Sequence, residues 1–280
     1  MSLLDALKRV FRHRPDATTS VQEKSRAMTL ESPVGNTEPV CPHCELSLEK
    51  MPARKKRCPR CGKYIYVRTR PADRVKVLVT EEQAAVIEQQ WGIHCDEQEN
   101  ARLRSLPGFE QARTQLVQSL RREPTEHEVV LELANRDLAL HGERRNWGLY
   151  RNAKLQIAES LRRLGKTKAS LTAYLEVCYL DVNGPENVGA INDPELLTEC
   201  PPFRPDTAQL ARGLLWEVET MRQGLKLNPN QLRGAFLSAA ANDHRSLNLP
   251  VSPEEAWRKL SQELSAGDVS DEATMTARGH

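Results

Sequence analysis

The sequence predicts a mainly α-helical protein: a small cysteine-bounded β ribbon near the N-terminus, joined to an irregular helical domain. Three observations carry that prediction. Two Cys-x-x-Cys pairs, Cys41/Cys44 and Cys58/Cys61, are separated by thirteen residues. A short alternating stretch, Lys63-Tyr-Ile-Tyr-Val-Arg68, follows the second pair. From residue 80 onward, helix-start signals recur and β-rich runs do not.

The 280 residues are 39% hydrophobic and 28% charged, with aromatics at only 5%. That supplies Leu, Ile, Val and Ala for a helical core but few rings. No apolar run approaches the about 20 residues that cross a bilayer. The first residues, Met1-Ser-Leu-Leu-Asp-Ala-Leu-Lys8, lack the uninterrupted apolar stretch of a secretory signal. The expected compartment is the cytoplasm. There, seven cysteines with four in two tight pairs read as metal ligands rather than a disulfide framework. The net charge of +2 is unevenly spread: residues 41–76 carry +8, residues 1–40 carry +1 and the remainder −7. A basic module joined to an acidic one suggests that the basic part meets something anionic.

In chain order, residues 1–14 read as a short amphipathic helix, with Leu3, Leu4, Leu7, Val10 and Phe11 at helical spacing. Such a helix is marginal alone: it docks on its own protein or frays in solution, or else docks on a partner or a membrane surface. Residues 15–39 are too poor in large apolar groups to offset ordering entropy and read as a flexible linker. The ribbon is expected over 40–79, closed by the β-rich Arg74-Val-Lys-Val-Leu-Val79. The helical domain is expected over 80–266, with helices at 80–91, 97–104, 108–121, 125–142, 146–164, 167–181, 206–224, 229–243 and 252–265. Thr80/Gln83, Thr125/Glu128, Asn228/Gln231 and Ser252/Glu255 have capping-box spacing. Pro229 and Pro253 sit where a helix's first N–H needs no partner. Asn183-Gly-Pro, Asn192-Asp-Pro and Cys200-Pro-Pro mark an irregular connection over 182–205. The small, polar residues 267–280 read as a disordered tail.

The cysteine pairs are the strongest motif. Four thiolates close a tetrahedral shell around zinc, and a two-residue gap lets one turn aim two sulfurs at one ion. Pro42 and Pro59 preset φ inside each turn, and Gly62 supplies a permissive backbone just after the second pair. One structural Zn2+ held by Cys41, Cys44, Cys58 and Cys61 is therefore expected, with His43 exposed rather than a ligand. A complete sulfur shell leaves no position for a catalytic water. Tyr64 and Tyr66 fall on one strand face, Ile65 and Val67 on the other, so one pair should cover the metal and the other face outward. The candidate nucleic-acid contacts are Arg54, Lys55, Lys56, Arg57, Arg60, Lys63, Tyr64, Tyr66, Arg68 and Arg70, combining phosphate-seeking charge with rings on which bases stack. The alternatives are a solvated loop tip or an acidic protein surface as the partner.

Within the helical region, Trp147-Gly-Leu-Tyr150 opens a helix pair, with Leu155, Ile157, Ala158 and Leu161 before Gly165 and Ala169, Tyr174, Val177 and Leu180 after it. The rhythm Ala158, Leu161, Gly165, Ser170, Tyr174 resembles one tetratricopeptide-type hairpin, departing from it at Lys154 and Val182. That resemblance implies protein or peptide binding, although an ordinary helical hairpin reads the same way and a solenoid needs more copies. The combination of Cys41-Pro-His-Cys44, Cys58-Pro-Arg-Cys-Gly-Lys-Tyr-Ile-Tyr-Val-Arg-Thr-Arg-Pro71, Trp147-Gly-Leu-Tyr-Arg-Asn152 and Tyr174-Leu-Glu-Val-Cys-Tyr-Leu-Asp181 also resembles a group of uncharacterised bacterial and phage proteins. That likeness implies a fold over about residues 41–260 and no activity.

No phosphate loop, nucleophile elbow or His-Glu-x-x-His occurs. The histidines, at 13, 43, 94, 127, 141, 244 and 280, are scattered. His94 and Cys95 are adjacent rather than spaced for a nucleophile–base pair. Cys178 lies on an apolar helix face and reads as core. His127 reads as solvent-facing, and the carboxylates Glu126, Glu128 and Glu132 as a solvated or dipole-favoured first turn. A zinc-knuckle nuclease needs an Asn among its catalytic groups, and residues 41–76 contain none. The expectation is a non-catalytic adaptor, with the ribbon on DNA or RNA and the helices on protein. A purely protein-binding module and an enzyme with an unrecognised helical site are the alternatives. No small-molecule substrate is apparent.

Overall fold

The computed structural model describes residues 34–189 and 193–276. The expected 1–14 helix, most of the 15–39 linker and the end of the tail lie outside the described residues. The protein is mainly α-helical with one small three-stranded antiparallel sheet. It divides into two compact units, Met1–Gln98 and Glu99–His280. The division falls inside the first described helix, whereas the change in composition had suggested residue 79.

In the first unit, β1 (Lys56–Arg57), β2 (Tyr64–Thr69) and β3 (Lys76–Val79) lie side by side in that order. Strand alternation sorts β2 onto two faces. Ile65 and Val67 join Leu78, Leu48 and the cysteines in one cluster. On the opposite face Tyr66 packs against Val77, Val79, Ala84 and Ile87. The expected outward pair is thus split: Tyr64 is exposed and Tyr66 is half-buried.

Helix α1 (Glu81–Arg104) begins at a reciprocal cap. The Thr80 amide donates to Gln83 Oε1 at 3.0 Å and the Gln83 amide to Thr80 Oγ1 at 3.3 Å. Its Trp91 Nε1 donates to the Thr69 carbonyl at 2.6 Å, tying the helix to β2. The two helices expected at 80–91 and 97–104 are one. Gly92 costs about 1 kcal/mol but does not break a helix, and no proline intervenes.

Residues 34–39, expected as linker, run along the sheet's edge. Asn36 and Leu78 exchange backbone hydrogen bonds of 3.0 and 2.8 Å. Gly35, at φ 90°, lies so close that a Cβ there would sit 2.6 Å from Val79 Cγ1. No side chain fits at that approach.

The second unit holds α2 (Phe109–Leu120), α3 (Glu126–Glu143), α4 (Trp147–Arg163), α5 (Thr167–Asn183), α6 (Pro194–Glu199), α7 (Arg212–Gly224), α8 (Pro229–Leu247) and α9 (Pro253–Thr276). The capping boxes at Thr125/Glu128 and Asn228/Gln231 form in both directions. At Ser252 only the Glu255 amide to Ser252 Oγ bond forms, at 3.3 Å. Val251 and Ala256 are both buried there. Helix α5 is the centre of this unit: α4, α7, α8 and α9 all pack on it, and Leu175, Val177, Cys178, Tyr179 and Leu180 are fully enclosed. The Tyr179 hydroxyl donates to the Val251 carbonyl at 2.7 Å, leaving its oxygen to accept from His244 Nδ1 at 2.7 Å.

Three boundaries differ from the sequence reading. Helix α7 starts at Arg212 rather than 206, because Ala211 is still extended at φ −69°, ψ 130°. The 182–205 connection contains α6, where Asp193 accepts the Glu195 amide at 2.9 Å and Pro194 takes a first-turn position. Helix α9 runs beyond 265, to Thr276.

Candidate metal centre and cationic face

The two cysteine turns have the same local geometry. The Cys41 carbonyl accepts the Glu45 amide at 2.9 Å, and the Cys58 carbonyl accepts the Gly62 amide at 3.0 Å. The Cys41 amide donates to the Leu46 carbonyl and the Cys58 amide to the Lys63 carbonyl, both at 2.9 Å. Each turn closes on a left-handed residue, Glu45 at φ 58° and Gly62 at φ 69°. The turn needs that backbone wherever it occurs; glycine reaches it freely and glutamate under strain.

These turns bring the four expected ligands together. All four Sγ atoms lie within 4.8 Å of one another. Cys41 and Cys61 are 3.9 Å apart and Cys44 and Cys58 are 3.7 Å apart. Four sulfurs on arms of about 2.3 Å around a tetrahedral metal would stand about 3.8 Å apart. The cluster can therefore hold one ion without rearrangement, and none of its cysteines is in a disulfide. Amides of Cys61 and Arg60 point at the Cys58 sulfur and bring its thiol down to about 6. The Lys63 amide favours the Cys61 thiolate, but burial and the Cys58 and Cys44 sulfurs outweigh it and push that thiol up. His43 is half-buried rather than exposed. Its Nε2 donates to the Tyr64 carbonyl at 3.0 Å, so it braces the ribbon and stays out of the ligand set.

The candidate basic residues divide into two groups. Arg54, Lys55, Lys56, Arg57, Arg60 and Lys63 are exposed. Arg68 and Arg70 are engaged with carboxylates: Arg68 reaches Glu88 at 2.8 Å, and Arg70 grips Asp73 through Nε at 3.2 Å and Nη2 at 2.5 Å. Arg70 is also buried, 8% exposed, so it belongs to the ribbon's interior and leaves the surface set.

Rings and cations are interleaved on this face. Lys55 Nζ lies 4.3 Å from the centre of the Tyr64 ring and 4.4 Å from that of Tyr66. Arg57, opposite Tyr64 in the strand register, lies 4.9 Å from that ring. Arg68 lies 5.7 Å from Tyr66. A cation–π contact at an exposed site contributes about 0.5–1 kcal/mol. Displacing Lys55 would forfeit two of them, about the size of the 1–3 kcal/mol that one stacked base contributes.

Several charges in the second unit are paired, some of them inside it. Lys154, 7% exposed, lies 2.8 Å from Glu176 and 2.8 Å from Asp243. Burial works against its charge, but Glu176 and Asp243 outweigh it and push the ammonium's pKa up. Arg151 holds Asp181 through two bonds of 2.6 Å. Glu126 and Glu128 do lie in the first turn of α3, where the helix dipole favours them, but the Glu126, Glu128 and Glu132 cluster is ion-paired rather than merely solvated. Glu126 pairs with Arg104, Glu128 with Arg122 at 2.6 Å and Glu132 with Arg136 at 2.9 Å. Glu128 is buried.

Sequence reasoning missed a cavity of about 180 Å³ between α1, α3 and α4, lined by Glu99, Arg102, His127, Glu159, Ser160 and Arg163. Its groups lie on three helices, so no local motif announces it. Ser160 Oγ is buried there without a hydrogen-bond partner, so no base is bonded to it. Glu99 is held by Arg102 at 2.7 Å. Cys178 is fully enclosed, and burial pushes its thiol far up, away from nucleophilic use. Cys95 is exposed, beside a half-buried His94. No helix among the described residues is long and apolar enough to cross a membrane.

No protein-family description, no curated protein and no solved structure matches this chain.

Proposed function

We propose that this chain is a non-catalytic cytoplasmic adaptor in which one structural Zn2+ shapes a ribbon that binds DNA or RNA, while the helical unit binds protein. A zinc shell of four thiolates is complete, so the metal supplies folding energy and no reaction centre. The tetratricopeptide-like rhythm of α4 and α5 supports the protein-binding half.

One observation carries the nucleic-acid half. Arg54, Lys55, Lys56, Arg57, Arg60 and Lys63 are exposed, and no salt bridge joins any of them to a carboxylate among the described residues, whereas Arg68, Arg70, Arg122 and Arg151 are each held by one. Surface cations without a salt-bridged carboxylate, Lys56 and Arg57 on β1 and the other four in the loops beside it, are what a phosphate backbone requires.

The test is a titration of zinc-loaded full-length protein with oligonucleotide at several salt concentrations. Affinity should fall steeply with salt, with a log–log slope of about −0.9 per duplex phosphate neutralised. Reversing charge at Lys55, Lys56 and Arg57 together should weaken binding by tenfold or more at unchanged metal content. Unaltered affinity in that variant removes the face as the site. No binding at low salt, with a protein co-purifying instead, leaves the ribbon as a structural clip in a protein-binding module.

A further inference from the structure

We infer that the ribbon recognises the phosphate backbone and not the bases; this rests on the nucleic-acid reading above and narrows it. Five side chains alternate along the face, in the order Arg57, Tyr64, Lys55, Tyr66, Arg68. Lys55 stands over both rings, at 4.3 and 4.4 Å. Arg57 adds a second cation to Tyr64 and Arg68 a second to Tyr66. Tyr66 also packs into the sheet-and-helix cluster of Val77, Val79 and Ile87. A base stacking on Tyr66 would displace Lys55 or Arg68; one stacking on Tyr64 would displace Lys55 or Arg57.

The tyrosines are therefore positioning residues. Their π faces hold Lys55 and Arg57 in a row on the exposed side of the ribbon, with Arg68, paired to Glu88, closing it. Long cationic side chains otherwise wander, and a row held ready loses less rotamer freedom when it meets a row of phosphates. Such a surface takes any phosphodiester chain and carries no base code. It does not favour single strands for their unstacked bases, because the stacking sites are already filled.

The experiment compares zinc-loaded full-length protein on two single strands of equal length, one ordinary and one fully abasic, by fluorescence anisotropy at low salt. The two affinities should agree within about threefold, far less than the loss of stacked bases would produce. Tyr64→Phe should bind like the parent, because the ring remains. Tyr64→Leu should weaken both strands by the same factor, with metal content as the check on folding. An abasic strand bound tenfold or more weaker overturns the inference while leaving nucleic-acid binding intact, as does a Tyr64→Leu loss confined to the base-bearing strand. Failure of both strands to bind at low salt overturns the inference together with the reading it rests on.

Discussion

The two units of this protein treat charge in opposite ways. In the ribbon, apart from Arg68 with Glu88 and Arg70 with Asp73, exposed cations such as Lys55 and Arg57 stand against tyrosine rings without a salt-bridged acid, while four sulfurs fill the middle. In the helical unit, several cations are matched to acids, and some of the pairs are inside: Lys154 with Glu176 and Asp243, Arg151 with Asp181. Paired, buried charge fixes which helices meet. Unpaired, exposed charge is left to a ligand.

Removing the metal should separate the units most sharply. Chelation, or Cys58→Ser, should unfold the ribbon, whose metal-linked folding energy is of order 10–16 kcal/mol, while the helical unit keeps its cooperative urea transition. NMR amide dispersion read beside far-UV circular dichroism would show both. Loss of the two together would mean that they are one cooperative fold. Next in size is Asp243→Ala, which strips one acid from a buried lysine. Breaking such a pair costs about 3–5 kcal/mol, and Glu176 remains to hold Lys154, so about 3 is expected in urea denaturation, with metal stoichiometry unchanged. The parent's pH dependence has a definite sign. The pKa of Lys154 is raised above 10.5, so the stability it lends is intact below that value and is lost only as pH climbs through the folded pKa. A urea midpoint that fell between pH 7 and 9 through this group would contradict the geometry. The smallest effects test the paired cysteine turns. Gly62→Ala meets nothing within 4 Å, so its cost is backbone strain alone, about 1 kcal/mol. Glu45→Gly relieves the equivalent strain and should move ribbon stability the other way by up to the same amount. Competition for metal against a chromophoric chelator reads both.

The parts of this structure that were legible in the sequence are local. Cys41, Cys44, Cys58 and Cys61 announce themselves by spacing, and Gly62 by residue type. Thr80/Gln83, Thr125/Glu128 and Asn228/Gln231 start helices where their side chains say they should, because a capping box spans only four residues. What escaped depends on partners distant in sequence. Asn36 and Gly35 look like linker until Leu78 and Val79 arrive beside them. Lys154 occupies a position where the tetratricopeptide pattern has Trp, and its reason for being there is Glu176, 22 residues away, and Asp243, 89 away. Arg70 reads as surface charge, yet Asp73 draws it inward. Glu45 hides the symmetry of the two turns because it is the wrong residue type for its backbone.

The short contact at Asn36 has a bearing on solubility. A three-stranded sheet has two outer rims, each a template onto which another molecule can add a strand. One rim here is β1, two residues long and both cationic. On the other, the amide and carbonyl that Leu78 would offer a newcomer are already taken by Asn36. Among the described residues each rim is thus partly blocked, β1 by its shortness and charge and β3 by Asn36, which removes part of the template for edge-to-edge pairing.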